Sequence, residues 1–314
     1  MADAPPDDRA PAFPVPTMPA PPVSVVGLGQ LGGSLAAALA AAGRAVSGWD
    51  VDPAARAVAE QHGVFVTREL TGVVVLAVPL PVLGTALDGL RIDPGATVTD
   101  VGSVKAPVLA ELGATLGDRF VGGHPMCGTE RSGPDAVDPE LFRGARWALC
   151  LEPGTDLRRW LRVAEIALAV GAEVVPVTAV EHDDAVAAIS AVPHLLAAAL
   201  AATAGEAGPL ALSLAAGSYR DGTRVIASDP AFVTALVQGN AGPAAAALDR
   251  VRAQLDRPVP ELVAAGHAVR TETPGRRPVR VPLDRTALLA LGHAGGAVTR
   301  RLAAFVEGWV PDRA

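Results

Sequence analysis

Val23-Ser24-Val25-Val26-Gly27-Leu28-Gly29-Gln30-Leu31-Gly32 decides the fold. A short strand-like run ends in GxGxxG and passes directly into a helical stretch, Leu31 to Ala42. In that order the glycines have separate uses. The first permits a tight turn, the second lets the backbone approach a pyrophosphate, and the third lets the helix pack closely on the strand. The helix N-terminus adds N–H donors and partial positive charge. Gly27, Gly29, Gln30, Leu31 and Gly32 are therefore candidate cofactor contacts. A glycine-rich turn of some other α/β protein is the plainer alternative.

A second predicted strand, Ala45 to Gly48, leads to Asp50, roughly 20 residues past the second glycine. A carboxylate there accepts hydrogen bonds from ribose hydroxyls and repels a 2′-phosphate. Val51 follows it, so no arginine stands adjacent to receive that phosphate, and NAD is favoured over NADP. Asp52 is the competing carboxylate. Val73 to Val78 is a continuous apolar run, as a strand covered on both faces requires, and Val78 at its end joins the cofactor candidates.

Working outward, Ala96 to Asp100, Arg119 to Gly122 and Trp147 to Leu151 read as further strands between helical stretches. This alternation predicts an α/β fold with a Rossmann-type doubly wound parallel sheet over residues 23–178. Past Thr178 the chain turns alanine- and leucine-rich with few β-branched runs, predicting an all-helical domain over 179–266. So apolar a helical half is expected to cover itself with a second copy, giving a homodimer. Residues 267–314 read as a linker, Arg270 to Arg280, and one amphipathic helix, Leu283 to Trp309, broken at Gly295-Gly296. Residues 1–22 are proline-rich without a basic start, which fits a disordered leader and not a signal peptide.

Composition excludes several classes. The 314 residues carry a net charge of −7, without the basic footprint of a nucleic-acid binder. The longest apolar run, Ala185 to Ala202, is broken by Ser190, Pro193 and His194 and reads as a buried helix rather than a membrane span. Two cysteines make neither a disulfide framework nor a zinc site, so no metal is expected and a reducing cytoplasm is the default.

Two segments at predicted strand ends carry chemistry, and ligands of open parallel sheets bind at that edge. In Asp100-Val101-Gly102-Ser103-Val104-Lys105, Ser103 is placed to cap the next helix or to bond a substrate hydroxyl. Lys105, the only lysine of the chain, either meets a carboxylate or cofactor or lies on the surface. In Gly122-Gly123-His124-Pro125-Met126-Cys127-Gly128-Thr129-Glu130-Arg131-Ser132-Gly133, a histidine set among glycines is poised to take a proton from an alcohol as hydride leaves. A Cys127–His124 nucleophile pair is the weaker reading.

In the helical half, His182-Asp183-Asp184 opens a helix through Ser190-Ala191-Val192-Pro193-His194. Uniform helical spacing places Asp183, Ser190 and His194 on one face, as for a lined cavity, with a kink at Pro193. Farther on, Tyr219-Arg220-Asp221-Gly222-Thr223-Arg224 offers Arg224 as a bidentate clamp for a substrate carboxylate, against a structural ion pair.

Together GLGQLGGS, DVGSVK, GGHPMCGTERSG, EHD with SAVPH, and YRDGTR with Asp229-Pro230 and Asn240 resemble the prephenate/arogenate dehydrogenase family of tyrosine biosynthesis, over roughly residues 23 to 265. The resemblance implies a nucleotide-binding domain, a helical dimerisation domain and an active site between them. The implied reaction is NAD-dependent oxidative decarboxylation of a cyclohexadienyl acid. His124, assisted by Ser103, takes the 4-hydroxyl proton, Arg224 holds a carboxylate, and His194 lines the pocket with Ser190 and Lys105. Two features depart from the family. Ala191 stands where many members have a second histidine, which leaves prephenate, arogenate and 4-amino-4-deoxyprephenate open as substrates. Val281-Pro282-Leu283-Asp284-Arg285 resembles the opening of a regulatory ACT domain, with too few residues after it to build one. A β-hydroxyacid dehydrogenase would need a lysine in the helical half, and none is there. A non-catalytic NAD-sensing dimer would need neither His124 nor Arg224.

Overall fold

The computed structural model describes residues 20–128, 133–272 and 274–312. Most of the proline-rich leader, and Thr129, Glu130, Arg131 and Ser132 of the histidine segment, lie outside the described residues.

The strand Val23–Val26 is buried at every position and sits in the middle of a six-stranded sheet. Val46–Trp49 and Phe65–Val66 lie to one side of it; Val73–Leu76, Thr97–Asp100 and Phe120–Val121 lie to the other. All five pairings are parallel. This is the doubly wound order, with its switch point between the first strand and Val73–Leu76, where a crevice opens at the carboxyl ends. The helix Gln30–Ala41 packs on this sheet through Leu35, Ala36 and Leu39.

A second six-stranded sheet stands beside the first, and here the sequence reading needs correction. Arg146–Cys150, expected in the parallel sheet, pairs instead with Gly123–Pro125 on one side and Glu173–Val177 on the other. Phe120–Val121 ends the first sheet and Gly123–Pro125 begins the second, so Gly122 is the corner between them. The helix Leu157–Ala169, capped by Asp156, buries Trp160, Val163, Ile166 and Ala167 in the core beneath.

The C-terminal segment is not a linker and a helix. It forms the strand Arg276–Pro282, the helix Arg285–His293 and the hairpin Ala297–Arg301 with Phe305–Pro311, which extends the second sheet through Val298 opposite Val174. The signal is an alternation of period two, Arg277-Pro278-Val279-Arg280-Val281, in a stretch whose arginines and prolines read as a linker. Gly295-Gly296 stops the helix. Gly295 has φ +74°, and a Cβ on Gly296 would lie 2.4 Å from the Trp309 carbonyl oxygen. Trp309 ties the hairpin down: Arg146 and Arg276 lie over its ring, and its Nε1 donates to Glu173 at 3.1 Å.

Residues 179–271 are helical throughout, as expected. Ala179–Val186 is fixed by a capping box in which Thr178 and Glu181 satisfy each other's ends. A π-helical turn, Ala187–Ala191, joins it to Val192–Glu206, with Pro193 in the first turn. The irregularity lies where proline removes a backbone donor. By length and composition this 28-residue unit could cross a membrane, and little of it is buried within one chain. The expectation of a buried helix therefore fails for the single chain. Ile189 and Leu200, with Leu210 on the next helix and Leu214 just past its end, leave an apolar surface open.

Candidate active site

The glycine turn is built as its sequence demands. Gly27 has φ +87°, and a Cβ there would lie 2.4 Å from the Ala77 carbonyl oxygen. A Cβ on Gly32 would lie 1.9 Å from Gly27 O, so helix and turn touch directly. Gly29 differs, because a Cβ there would meet nothing within 4 Å. It stands at the N-cap of Gln30–Ala41, where a glycine has no side chain to cap the helix. Open space over a helix N-terminus is what a pyrophosphate needs. Leu31 packs against the core below, and Val78 borders Gly27.

Asp50 is tied to this turn. Its Oδ2 accepts from Leu28 N at 2.6 Å, and its Oδ1 accepts from Asp52 N at 2.8 Å. Asp52 instead caps the next helix through Ala54 N. Of the two carboxylates, Asp50 is the one set against the glycine turn. Beyond it a cavity of about 410 Å³ is lined by Trp49, Val51, Arg56, Arg68, Asp88 and Leu90.

At the carboxyl end of Thr97–Asp100 the structure overturns two expectations. Lys105 is 0% exposed, and its ammonium is held by Asp100 and by Gly123 O at 2.8 Å. It is removed from solvent and joins the two sheets, so it is not available to a substrate. Ser103 does not cap the following helix, Ala106–Leu116. Asp183 of the helical domain does so, accepting from Lys105 N at 2.7 Å and Ala106 N at 2.8 Å. Ser103 is half-buried at the strand end, and its hydroxyl makes no hydrogen bond among the described residues.

His124 leaves the strand Gly123–Pro125 half-buried and crosses to the helical domain. Its Nδ1 lies 2.9 Å from His182 Nε2, and the rings meet edge to face with centroids 5.1 Å apart. His182 Nδ1 lies 2.8 Å from Asp183 Oδ1, and Asn240 Nδ2 donates to Asp183 O at 2.8 Å. Burial first, then the electrostatic influence of His182 and Lys105, holds His124 well below the ordinary imidazole range. Burial pushes the Asp183 carboxyl up, but bonds from His182 and from the Ala106 and Lys105 amides outweigh it and leave its pKa lowered. Cys127 is pushed by burial up to about 11, so it stays a thiol at neutral pH and the cysteine nucleophile falls away.

His182 was named in the sequence only as part of EHD, and nothing in the spacing marked it as a partner of His124. The expected shared face of Asp183, Ser190 and His194 also fails, because the π turn adds a residue and rotates the helix beyond it. Asp183 faces the nucleotide-binding half. His194 lies after the turn, its Nδ1 2.8 Å from Ser190 O. Arg224 begins the short helix Arg224–Ala227, which packs against the helix carrying His194.

Comparison with known proteins follows this division. Residues 35–176 match the family model for the prephenate dehydrogenase nucleotide-binding domain, and residues 178–268 match the one for the prephenate dehydrogenase dimerization domain. A Corynebacterium glutamicum crystal structure provisionally named prephenate dehydrogenase is 36% identical, with a TM-score of 0.73, covering 80% of this chain and 87% of that one. The A. aeolicus prephenate dehydrogenase, solved with hydroxyphenyl propionate and NAD+, is 28% identical with a TM-score of 0.71, covering 80% and 93%. The prephenate dehydrogenase of Bacillus subtilis is 32% identical over 228 residues, which are 67% of this chain and 62% of that relative's length. A chain whose two halves match both domains in order, and whose backbone follows the same course as these enzymes, belongs to the prephenate dehydrogenase family.

Proposed function

We propose that the chain is an NAD-dependent prephenate dehydrogenase that converts prephenate to 4-hydroxyphenylpyruvate with loss of CO2. The observation that carries this reading is His124: a half-buried imidazole at the sheet edge, kept neutral, and joined to His182 of the helical half. A neutral imidazole accepts the proton of an alcohol as that carbon is oxidised. NAD supplies the hydride acceptor, and the open space over Gly29 at the helix N-terminus and the Asp50 carboxylate fit its pyrophosphate and ribose. Ser103 bonds the same 4-hydroxyl and orients it toward His124. Arg224 binds a carboxylate of the diacid, and His194 lines the pocket from the helical side with Ser190. Hydroxyphenyl propionate on the A. aeolicus enzyme has the ring and carboxylate arm that this arrangement suits.

The exposed apolar surface of the helical half is covered by a second copy, in keeping with the matched dimerization domain, and the enzyme works in the cytoplasm without nucleic acid or membrane. Ala191 is 0% exposed, so an imidazole in its place would have to displace packed neighbours. Prephenate, arogenate and 4-amino-4-deoxyprephenate are separated by their rates. Incubation with NAD and each acid, following NADH and CO2, tests the assignment. NAD reduction with the amino compound alone removes the tyrosine-pathway reading.

A further inference from the structure

Three side chains in line join the two halves of the molecule: His124, His182 and Asp183. Each imidazole bridge has one hydrogen, so the direction of every bond follows from its end. Asp183, held low by two backbone amides and His182, is ionised and can only accept. His182 Nδ1 must then donate to it. With its one hydrogen spent on Nδ1, the His182 ring presents a bare Nε2. That nitrogen accepts from His124 Nδ1–H, and the lone pair of His124 is left on Nε2.

Resting on the reading of His124 as the base, we propose that His182 and Asp183 are positioning residues. Through this chain they fix His124 as the Nδ1–H tautomer, with Nε2 turned to the substrate hydroxyl. When Nε2 takes the alcohol proton, the imidazolium donates from Nδ1 to His182, which donates in turn to the Asp183 carboxylate. No group in the chain has to rotate. The charged groups facing the pair are Asp183 from the helical half and the Lys105–Asp100 ion pair beneath Gly123. Because Asp183 also caps Ala106–Leu116, the element that orients the base is the one that holds the halves together.

The test uses the full 15N-labelled chain near neutral pH without substrate, reading two-bond nitrogen–proton couplings of the imidazoles. Wild type is expected to show His124 protonated at Nδ1 with Nε2 bare. His182→Gln keeps an acceptor for Nδ1–H and preserves that pattern; His182→Leu gives mixed tautomers. In turnover the leucine variant is expected to lose roughly 10- to 1000-fold in kcat, with KM for NAD unmoved and part of the loss recovered by glutamine. A wild-type His124 carrying its proton on Nε2 overturns the proposal. So do equal kcat values for glutamine and leucine variants that both melt as wild type does. A wild type that oxidises none of the three acids removes the proposed function instead, and the spectrum still decides the tautomer.

Discussion

Lys105 and Asp100 form an ion pair in which both side chains are 0% exposed, at the seam where the two sheets meet. Asp100 also accepts from Gly102 N at 2.9 Å and Gly123 N at 3.0 Å, and the lysine returns a bond to Gly123 O. The corner that carries His124 is therefore clamped from both strands. Removing one member of a buried pair strands the other charge, at a cost of about 3–5 kcal/mol. Lys105→Met is expected to lower stability by that order in denaturant unfolding, and Lys105→Met with Asp100→Asn to recover part of it. A variant as stable as wild type but with a raised KM for the acid would return Lys105 to substrate binding.

His124→Asn removes the proton acceptor and leaves the glycine turn untouched. A positioned acid–base group contributes roughly 10²–10⁴-fold, so kcat is expected to fall by that factor with the affinity for NAD unchanged. Unchanged kcat would take His124 out of the reaction.

The pH profile follows from the direction of the His124 shift. Burial comes first, with His182 and Lys105 adding to it, and all three lower its pKa. The neutral base then persists to below pH 6.5, and the acid limb of kcat/KM is expected under that value. Stability moves in the same sense. Between the native pKa and 6.5 the unfolded chain binds the proton and the native one does not, so stability falls as pH drops through this window. An acid limb above 6.5 in wild type would contradict the burial argument.

Arg224→Ala is expected chiefly to raise KM for the acid while leaving the chemical step closer to wild type, since a carboxylate clamp binds ground and transition states alike. Steady-state kinetics at saturating NAD read this directly. An unmoved KM would pass the clamp to Arg220.

The parts of this molecule that its sequence declares are those where a local pattern and the final contact coincide. Gly27 and Gly32 announce a turn because their own backbone needs the space, and Asp50 announces itself by its distance along the chain. His182 does not, because its partner lies 58 positions away and only the packing of two domains brings them together. The same holds for Asp183. In the sequence it reads as one member of a face shared with Ser190 and His194, yet it caps a helix that begins 77 residues before it. At the C-terminus the error has another source. Arg276–Pro282 has five residues of seven exposed, only Val279 and Val281 half-buried, and pairs on one side only, so its apolar signal is too thin to set it apart from a linker. At Ala187–Ala191 the arithmetic of a regular helix fails because one turn is not regular.

Asp50 is the sharpest test of cofactor choice, because it has two tasks. In the proposed function its carboxylate meets the ribose, and in the structure it receives the amides of Leu28 and Asp52. Asp50→Ala therefore removes the repulsion toward a 2′-phosphate and loosens the turn at once. Asp50→Asn retains an acceptor for one amide while cancelling the charge. The asparagine variant is expected to lose preference for NAD over NADP with little loss of stability, since a bond from a backbone amide to a neutral acceptor is worth about 1 kcal/mol. The alanine variant is expected to lose the preference and also to raise KM for NAD. The ratio of kcat/KM for the two cofactors, measured in all three proteins, separates charge from positioning. Equal use of NADP by the unmodified chain would mean that Arg56 and Arg68, both stacked on Trp49 beside the cavity, outweigh the carboxylate.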